Sequence, residues 1–238
     1  MANNYFQFKQ FRIIQEGAAM KVGTDGVLLG AWTPLKGAVR VLDVGTGTGL
    51  LALILAQREG GLKITALELD PSAVVQARTN VAASPWSDRI AVVEADFRSF
   101  ARETTERFDL LICNPPYFQS GPTAACAARA LARHAHELSP LDLLDGAARV
   151  LAPGGALALV LPALQWPDFE RAALQRGWVL KQQLVVHPTP HKKATRILGC
   201  WGREAGAFLS EDLVLESGGR HVYSPEYLAL TREFYLFA

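Results

Sequence analysis

The sequence predicts an α/β fold, in which a seven-stranded, mostly parallel sheet carries helices on both faces. Three observations lead to this prediction. The chain has 238 residues, half of them hydrophobic, which is enough for one large domain with a sizeable core. Short β-branched runs alternate with stretches rich in alanine and leucine, which is typical of a doubly wound sheet. A glycine-rich turn joins the first strand-like run to the first helical stretch.

The predicted elements follow this alternation along the chain. Strands are expected at the short β-branched runs, which are Val39–Val44, Ile64–Leu69, Ile90–Glu94, Phe108–Cys113, Ala156–Leu161, Val179–Val186 and Arg196–Trp201. Helices are expected in the intervening alanine- and leucine-rich stretches, near Gly49–Arg58, Pro71–Ala82, Pro140–Leu151 and Pro167–Arg176. A tight turn is expected at Pro153-Gly154-Gly155, leading into the fifth strand.

Two regions do not fit this alternation. Residues 1–36 precede the first core strand and are predicted to form a small N-terminal extension to a main domain of residues 37–238. Residues 118–139 form a long connection, and connections of this length are often lids or binding loops. Its potentially cationic or polar side chains are Arg129, Arg133, His134 and His136.

Composition excludes few functions. A net charge of +1 gives no strong preference for nucleic acid, although a neutral protein can carry a local basic face. The widely spaced cysteines include no C-x-x-C pair, so reduced thiols are expected rather than a zinc or redox site. Neither an apolar signal core nor a run of about 18 apolar residues occurs, and we therefore expect a soluble, cytoplasmic protein with no membrane partner. The sequence does not predict an oligomeric state.

The glycine turn lies in the stretch Val41-Leu-Asp-Val-Gly-Thr-Gly-Thr-Gly-Leu50. Gly45, Gly47 and Gly49 let the backbone turn sharply and approach a ligand closely. The dinucleotide fingerprint is G-x-G-x-x-G, whereas here the third glycine comes one residue early and Leu50 occupies its place. This spacing argues against NAD or FAD.

Acidic residues near the ends of three successive strands indicate the ligand. Asp43 would repel a phosphate but would suit an ammonium or sulfonium group. Glu68, followed by Leu69, is placed to accept hydrogen bonds from ribose hydroxyls. Asp96 could accept from the adenine amine, and Phe97 offers a ring face. A nucleoside with a cationic tail and no phosphate is predicted, and S-adenosylmethionine fits that description.

The fourth strand leads into Asn114-Pro115-Pro116-Tyr117. Prolines end the strand, since they cannot donate to the sheet ladder. The Asn114 side-chain oxygen and the Pro115 carbonyl could accept from both N–H groups of an exocyclic amine and direct its lone pair at a methyl donor. Tyr117 could stack on the base. In-line methyl transfer needs no strong base, and the sequence offers neither a Ser-His-Asp nor a metal constellation.

These motifs support a family resemblance. Asp43-x-Gly-x-Gly-x-Gly49 followed by Asn114-Pro-Pro-Tyr117 resembles the class I S-adenosylmethionine-dependent N-methyltransferases, whose substrates include both nucleic acids and proteins. Further stretches resemble the bacterial tRNA(Val) adenine N6-methyltransferase family; they are Phe8–Phe11, Ala19–Trp32, Ala132–His134, Leu138–Leu144, Tyr223–Leu228 and Phe234–Leu236. The similarity spans nearly the whole chain.

The resemblance implies a Rossmann-like class I methyltransferase fold and methylation of N6 of the adenine beside the anticodon of a valine tRNA. It also implies that the N-terminal extension covers the methionine end of the cofactor through Lys21, Thr24 and Gly26.

Contacts with RNA are expected in two segments. The loop bordering the Asn-Pro-Pro-Tyr segment contributes Arg133 and His134, and the link between the last two predicted strands contributes Lys192, Lys193 and Arg196. The family pattern has an acidic residue beside the histidine, where this chain has Ala135-His136, so the role of His134 stays open.

Other functions stay open at this point. A protein glutamine N5-methyltransferase also fits the Asn-Pro-Pro-Tyr segment, but such enzymes usually carry a separate N-terminal helical domain. An adenine methyltransferase acting on ribosomal RNA or DNA is a third possibility, although DNA enzymes generally need a sizeable target-recognition domain. A non-catalytic binding module is a fourth possibility. The intact glycine turn and the intact Asn-Pro-Pro-Tyr segment argue against it.

Overall fold

The computed structural model describes residues 4–16, 18, 20–115, 138–219 and 221–236. The strands in these ranges are β1 (Tyr5–Gln7), β2 (Arg12–Ile14), β3 (Arg40–Val44), β4 (Lys63–Glu68), β5 (Ile90–Glu94), β6 (Phe108–Cys113), β7 (Leu151–Pro162), β8 (Val179–His187), β9 (Arg196–Gly202) and β10 (Leu209–Val214). The helices are α1 (Thr24–Trp32), α2 (Leu50–Arg58), α3 (Pro71–Ala82), α4 (Phe97–Glu103), α5 (Pro140–Val150), α6 (Trp166–Gln175) and α7 (Pro225–Thr231).

The central sheet has the strand order β10-β8-β9-β7-β6-β3-β4-β5. Only β9 runs antiparallel to its two neighbours, so the sheet is mostly parallel and the predicted α/β class is confirmed. The chain proceeds from β3 outward to β4 and β5, and then crosses to β6 on the other side of β3. Ligands of open α/β sheets bind at such a reversal of strand order, beyond the carboxyl ends of the strands.

The sheet has eight strands, so the predicted count of seven is one too low. The additional strand, β10, pairs in parallel with β8 at the edge of the sheet. Four of its six residues are exposed, including Glu211 and Asp212. An edge strand that buries so little carries a weak apolar pattern, which explains why the sequence did not indicate it.

The local predictions otherwise agree with the observed elements. The bounds of β5, β6 and α3 are those predicted, and those of most other predicted elements differ by one residue at an end, whereas no element was predicted at β1, β2, α1, α4 or α7. The exception is β7, because the predicted turn at 153–155 lies inside this strand. Gly154 has a φ of +77° there, and the pairing with β6 shifts register between Phe108 and Leu110. The strand therefore passes through the Pro-Gly-Gly stretch as an irregularity instead of beginning after it.

Each face of the sheet has its own hydrophobic core. Neighbouring residues of a strand point to opposite faces, as Leu110 and Leu111 of β6 do. Helices α1, α2 and α7 cover one face, and α4, α5 and α6 cover the other. No helix in the described ranges is long and apolar enough to cross a membrane.

The described part of the N-terminal segment packs directly onto the main domain. Phe8, Phe11 and Ile13 are buried in the same core as α2. Asn80 of α3 accepts from the Ile14 backbone N–H (2.8 Å) and donates to the Ile14 carbonyl (3.0 Å). The segment is thus held in place beside the glycine turn, whereas its role as a cover of the cofactor site stays a prediction.

Candidate active site

The register of the central strands brings the predicted site residues to one edge of the sheet. At the end of β3, Val44 pairs with Leu67 of β4 and with Cys113 of β6. The residues that follow these strands are therefore neighbours, and they include the glycine turn and Asn114. Cys113 is itself buried in the sheet. Burial raises the pKa of its thiol, which therefore stays protonated.

The glycine turn depends on three left-handed residues. Gly45, Gly47 and Gly49 have φ angles of +70°, +56° and +85°. Side chains other than glycine rarely adopt this region. A Cβ at Gly45 or Gly47 would meet no atom within 4 Å, so the turn borders open space. The glycines therefore leave room for a ligand against the backbone, as the sequence predicts.

Asp43 is fully buried beneath this turn. Its Oδ2 atom accepts hydrogen bonds from the Thr46 hydroxyl (2.5 Å) and the Ala52 backbone N–H (3.2 Å). Its Oδ1 atom is buried and has no hydrogen-bond partner among the described residues. The carboxyl group thus joins β3 to the turn and to the start of α2. A direct contact with the cofactor stays a prediction.

Burial raises the pKa of Asp43 from 3.8 to about 7, and the nearby Glu68 carboxylate adds to the increase. The bonds from Thr46 and Ala52 act in the opposite direction.

We expect this titration to make the apo protein less stable as the pH rises. Because the folded pKa lies above the unfolded one, the neutral carboxyl favours the folded state, and this contribution is lost between about pH 4 and pH 7. The loss amounts to about 4 kcal/mol for a pKa change from 3.8 to about 7. Urea unfolding of wild type and Asp43→Asn at several pH values measures it. The variant should lack this decline, and parallel curves for the two proteins would contradict the assignment.

Glu68, at the end of β4, supports the glycine turn from the other side. Its Oε2 atom accepts from the Gly47 backbone N–H (2.8 Å), and its Oε1 atom accepts from the Leu69 and Asp70 N–H groups (2.8 and 3.0 Å). A carboxylate offers about four acceptor positions, so one position on Oε2 remains for a ligand hydroxyl. Leu69, next to it, is 42% exposed and adds apolar surface at the same edge.

Asp96 and Phe97 begin α4. The Asp96 carboxylate caps the helix by accepting from the Arg98 N–H (2.7 Å) and is also paired with the Arg98 guanidinium. This side-chain hydrogen bond lowers the pKa of Asp96, which stays charged. Phe97 is buried against α5, where a Cβ at Gly146 would come within 2.5 Å of its ring. Their predicted contacts with adenine stay predictions, and the ring has little free face.

Asn114 follows β6 beside the glycine turn and is half-buried. Its side-chain amide makes no hydrogen bond to any of the described residues. Helix α1 approaches it closely, because a Cβ at Gly26 would stand 3.7 Å from Asn114 Nδ2 and 2.9 Å from Leu50. Pro115 is buried. Four other predicted site residues lie outside the described residues: Pro116, Tyr117, Arg133 and His134.

The segment before α1 lies on the same side of the domain. Lys21 and Thr24 are exposed, and the Val22 backbone N–H donates to the Gln15 side chain (2.9 Å). Asp25 forms an ion pair with Arg196 of β9, with 2.7 Å between Oδ2 and Nε. The sequence did not predict that Asp25 pairs with Arg196, since the two residues are 171 positions apart.

Arg196 was predicted to contact substrate, and part of its guanidinium is engaged by Asp25. Its Nη1 group also donates to the Thr195 carbonyl (2.9 Å). Lys192 and Lys193 are exposed in the loop between β8 and β9, which ends at the same edge of the sheet as Asn114. Whether any of the three contacts substrate stays a prediction.

His187 holds this loop. Its Nδ1 atom lies 3.0 Å from the Lys192 carbonyl, and its Nε2 atom lies 2.8 Å from Asp212 Oδ1. Both partners only accept hydrogen bonds, so this position favours the charged imidazole, which donates from both ring nitrogens. The Lys192 carbonyl and Asp212 raise the pKa of His187 accordingly. Among the described residues, no group of three or more His, Cys, Asp or Glu could hold a metal ion.

Comparison with known proteins adds to this geometry. Residues 23–165 match the family model of the methyltransferase small domain. The tRNA1(Val) (adenine(37)-N6)-methyltransferase of Tolumonas auensis is 47% identical over 99% of this chain and 98% of its own length. The protein of the same name from Phocaeicola vulgatus is 45% identical over 99% of both chains.

A solved structure supports the fold alone. The crystal structure of a predicted O-methyltransferase from Agrobacterium tumefaciens superposes with a TM-score of 0.68, covering 88% of this chain and 96% of that one. At 23% sequence identity it carries no information about substrate.

Proposed function

Since this chain belongs to the tRNA1(Val) (adenine(37)-N6)-methyltransferase family, we propose that it methylates the exocyclic N6 of adenine 37 in a valine tRNA. The support is similarity over nearly the full length of both chains, together with a methyltransferase small domain over residues 23–165. The single structural observation that carries the proposal is the Asn114 amide, which makes no hydrogen bond to any described residue and lies at the switch point of the sheet beside the glycine turn. A tRNA substrate implies action in the cytoplasm.

The residues around the glycine turn fit S-adenosylmethionine. Open space at Gly45 and Gly47 admits a ligand against the backbone, and Asp43 Oδ1 is an unpartnered buried acceptor among the described residues. Bound S-adenosylmethionine supplies a methyl group on a positively charged sulfur. The residues proposed to hold it are Lys21, Thr24, Gly26, Asp43, Gly45, Gly47, Gly49, Glu68, Leu69, Asp96, Phe97 and Asn114.

Within this set, Glu68 and Asp96 would bind different parts of the cofactor. Glu68 would use its remaining Oε2 position for a ribose hydroxyl, while its bond to the Gly47 N–H keeps the turn in place. Asp96 would have to share its oxygens between Arg98 and the adenine amine. This competition makes Glu68 the stronger determinant of cofactor affinity.

The chemistry on the substrate side would rest on Asn114 and Pro115. The Asn114 oxygen and the Pro115 carbonyl accept from the two N–H groups of the adenine amine, which withdraws the nitrogen lone pair from the ring. A residue that precedes a proline is restricted in ψ, so Pro116 limits the direction of the Pro115 carbonyl in advance. Pro116 and Tyr117 complete the proposed segment, with the tyrosine ring stacked on the base. No strong general base would be required, because the amine attacks the methyl carbon in line as the bond from carbon to sulfur breaks, and the methylated nitrogen can then lose its proton to water.

Incubation of the pure protein with labelled S-adenosylmethionine and unmodified tRNA tests this function. We expect labelled N6-methyladenosine at position 37 of valine tRNA after digestion to nucleosides. Cofactor binding without a nucleoside product would contradict the proposal and direct attention to protein substrates, beginning with glutamine amides.

We further propose that Lys192 and Lys193 neutralise phosphates of the tRNA, with Arg133, His134 and Arg196 as additional contacts. The two lysines are exposed, and no described acidic group forms an ion pair with them. The imidazole of His187 lies within hydrogen-bond distance of the Lys192 carbonyl, so the backbone of the loop is held in a defined place.

Removal of both charges by Lys192→Ala/Lys193→Ala should weaken tRNA binding about tenfold at low salt. It should also reduce the slope of log K against log salt concentration by about 1.5, because each lost phosphate contact removes roughly 0.7 to 0.9. Filter binding at several salt concentrations measures both effects. Lys36→Ala/Lys63→Ala, which removes two exposed lysines near the opposite edge of the sheet, is the matched control. An equal slope change in the two double variants would contradict the assignment.

A further inference from the structure

Leu164 is the most exposed large hydrophobic residue in the described part of the chain. Its relative exposure is 94%, against 63% for Val75, the next highest. Single exposed leucines are ordinary on protein surfaces, so exposure alone assigns no role. The anchoring and position of this leucine distinguish it.

The turn that carries Leu164 is fixed at both ends. The Gln165 N–H donates to the Pro162 carbonyl (2.9 Å), which closes the turn. The Ala163 N–H donates to the Thr195 carbonyl (3.0 Å), which ties the turn to the end of the β8–β9 loop. The backbone at Leu164 is therefore already ordered. A contact between Leu164 and a partner would cost little backbone conformational entropy.

The turn also stands at the edge where Asn114 lies. Strand β7 runs parallel to β6, with Leu159 paired to Cys113. It continues for three residues to Pro162, which is roughly 10 Å beyond the level of that pair. Leu164 thus stands beyond the end of β7, the strand that neighbours β6, at the edge of the sheet where Asn114 lies and a substrate would approach.

Two lysines lie in the loop that is hydrogen-bonded to this turn. Thr195, which is bonded to the Leu164 turn, follows the exposed Lys192 and Lys193 in the same loop. An apolar tip beside two ammonium groups complements nucleic acid, which presents base faces between phosphates. A second copy of this chain is a poorer fit, because a twofold interface at the tip would bring the lysines of both copies together.

We propose that Leu164 packs against the face of the nucleobase that adjoins the target adenine, a role that rests on the proposed tRNA methyltransferase function. An adenine that enters the site must leave its stack, which exposes a face of its neighbour. Leu164 covers that face while the lysines hold the backbone. It is a positioning residue that acts on tRNA and leaves the cofactor untouched.

Steady-state methylation of unmodified valine tRNA by Leu164→Ala tests this role. We expect the KM for tRNA to rise about tenfold, with kcat within twofold of wild type and with the Kd for S-adenosylmethionine and the melting temperature unchanged. Leu164→Met, which keeps the apolar volume, should restore most of the affinity. The matched control is Leu174→Ala, which truncates a 56% exposed leucine at the far end of α6 and should behave as wild type.

Two outcomes would overturn the proposal while leaving the methyltransferase function intact. One is a tRNA KM for Leu164→Ala equal to that of Leu174→Ala. The other is a fall in molar mass by light scattering for Leu164→Ala alone, which would show that a second copy covers the tip. Failure of the wild-type protein to methylate any tRNA would instead contradict the proposed function itself, which the wild-type assay reveals before any variant is compared.

Discussion

Asn114→Ala should lower the rate of methyl transfer to tRNA by about 10² to 10³, a loss typical of removing one oriented hydrogen-bond group that acts in the transition state. The Asn114 amide makes no hydrogen bond to any described residue, so its oxygen is available to the adenine amine. Alanine removes that acceptor and leaves the nitrogen lone pair delocalised in the ring. Single-turnover assays with saturating cofactor and tRNA measure the effect on the chemical step.

The control for this variant is its affinity for S-adenosylmethionine, measured by calorimetry. Asn114 is also proposed to border the cofactor, and Gly26 of α1 lies close to it, so a change of a few-fold in Kd is compatible with the assignment. Normal cofactor binding together with near-normal methyl transfer would show that the amide does not accept from the substrate amine.

Glu68→Ala should weaken S-adenosylmethionine binding by about 10²-fold. Hydrogen bonds to a charged group contribute roughly 1.5 to 3 kcal/mol each, and the variant loses the proposed ribose contact and the bond that holds the Gly47 N–H. The effect should appear in the calorimetric Kd, whereas kcat at saturating cofactor should change much less. Glu68→Gln keeps one oxygen acceptor and should lie between wild type and alanine.

Glu94→Ala is the matched control for Glu68→Ala. Glu94 is an exposed carboxylate that pairs with Glu68 in the sheet register, at the end of β5. It shares the strand-end position and the charge of Glu68 but makes no hydrogen bond to the glycine turn. Equal losses of affinity for the two variants would indicate a general electrostatic effect, and an unchanged affinity for Glu68→Ala would refute the ribose assignment.

The family resemblance and the fold class followed from the sequence, and both are confirmed. The local sequence pattern was enough to predict the bounds of α3 and β6. It was also enough for the glycine turn, because three left-handed residues in five positions can be met only by glycine without strain. The Asn-Pro-Pro segment ends β6 for an equally local reason, the missing N–H groups of proline.

The sequence could not predict the hydrogen-bond partners of the acidic side chains at the strand ends. Asp43, Glu68 and Asp96 were all predicted as cofactor contacts, and each also bonds to the protein itself. Asp43 ties the turn to α2, Glu68 supports Gly47, and Asp96 caps α4 and pairs with Arg98. A carboxylate at a strand end has the same sequence pattern whether it binds the cofactor or bonds to the protein. The pattern therefore predicts where the carboxylate lies, but not which group each of its oxygens contacts.

The sequence by itself determined the α/β class and the glycine turn, since both depend on periodicity or backbone limits within a few residues, and its motifs carried the family resemblance. Only the tertiary structure decided the edge strand β10, the burial of Asp43, the pairing of Asp25 with Arg196 and the exposure of Leu164 at the edge of the sheet where Asn114 lies. These features join residues far apart in the chain. Their free energy depends on packing and desolvation, which exist only once the sheet has assembled.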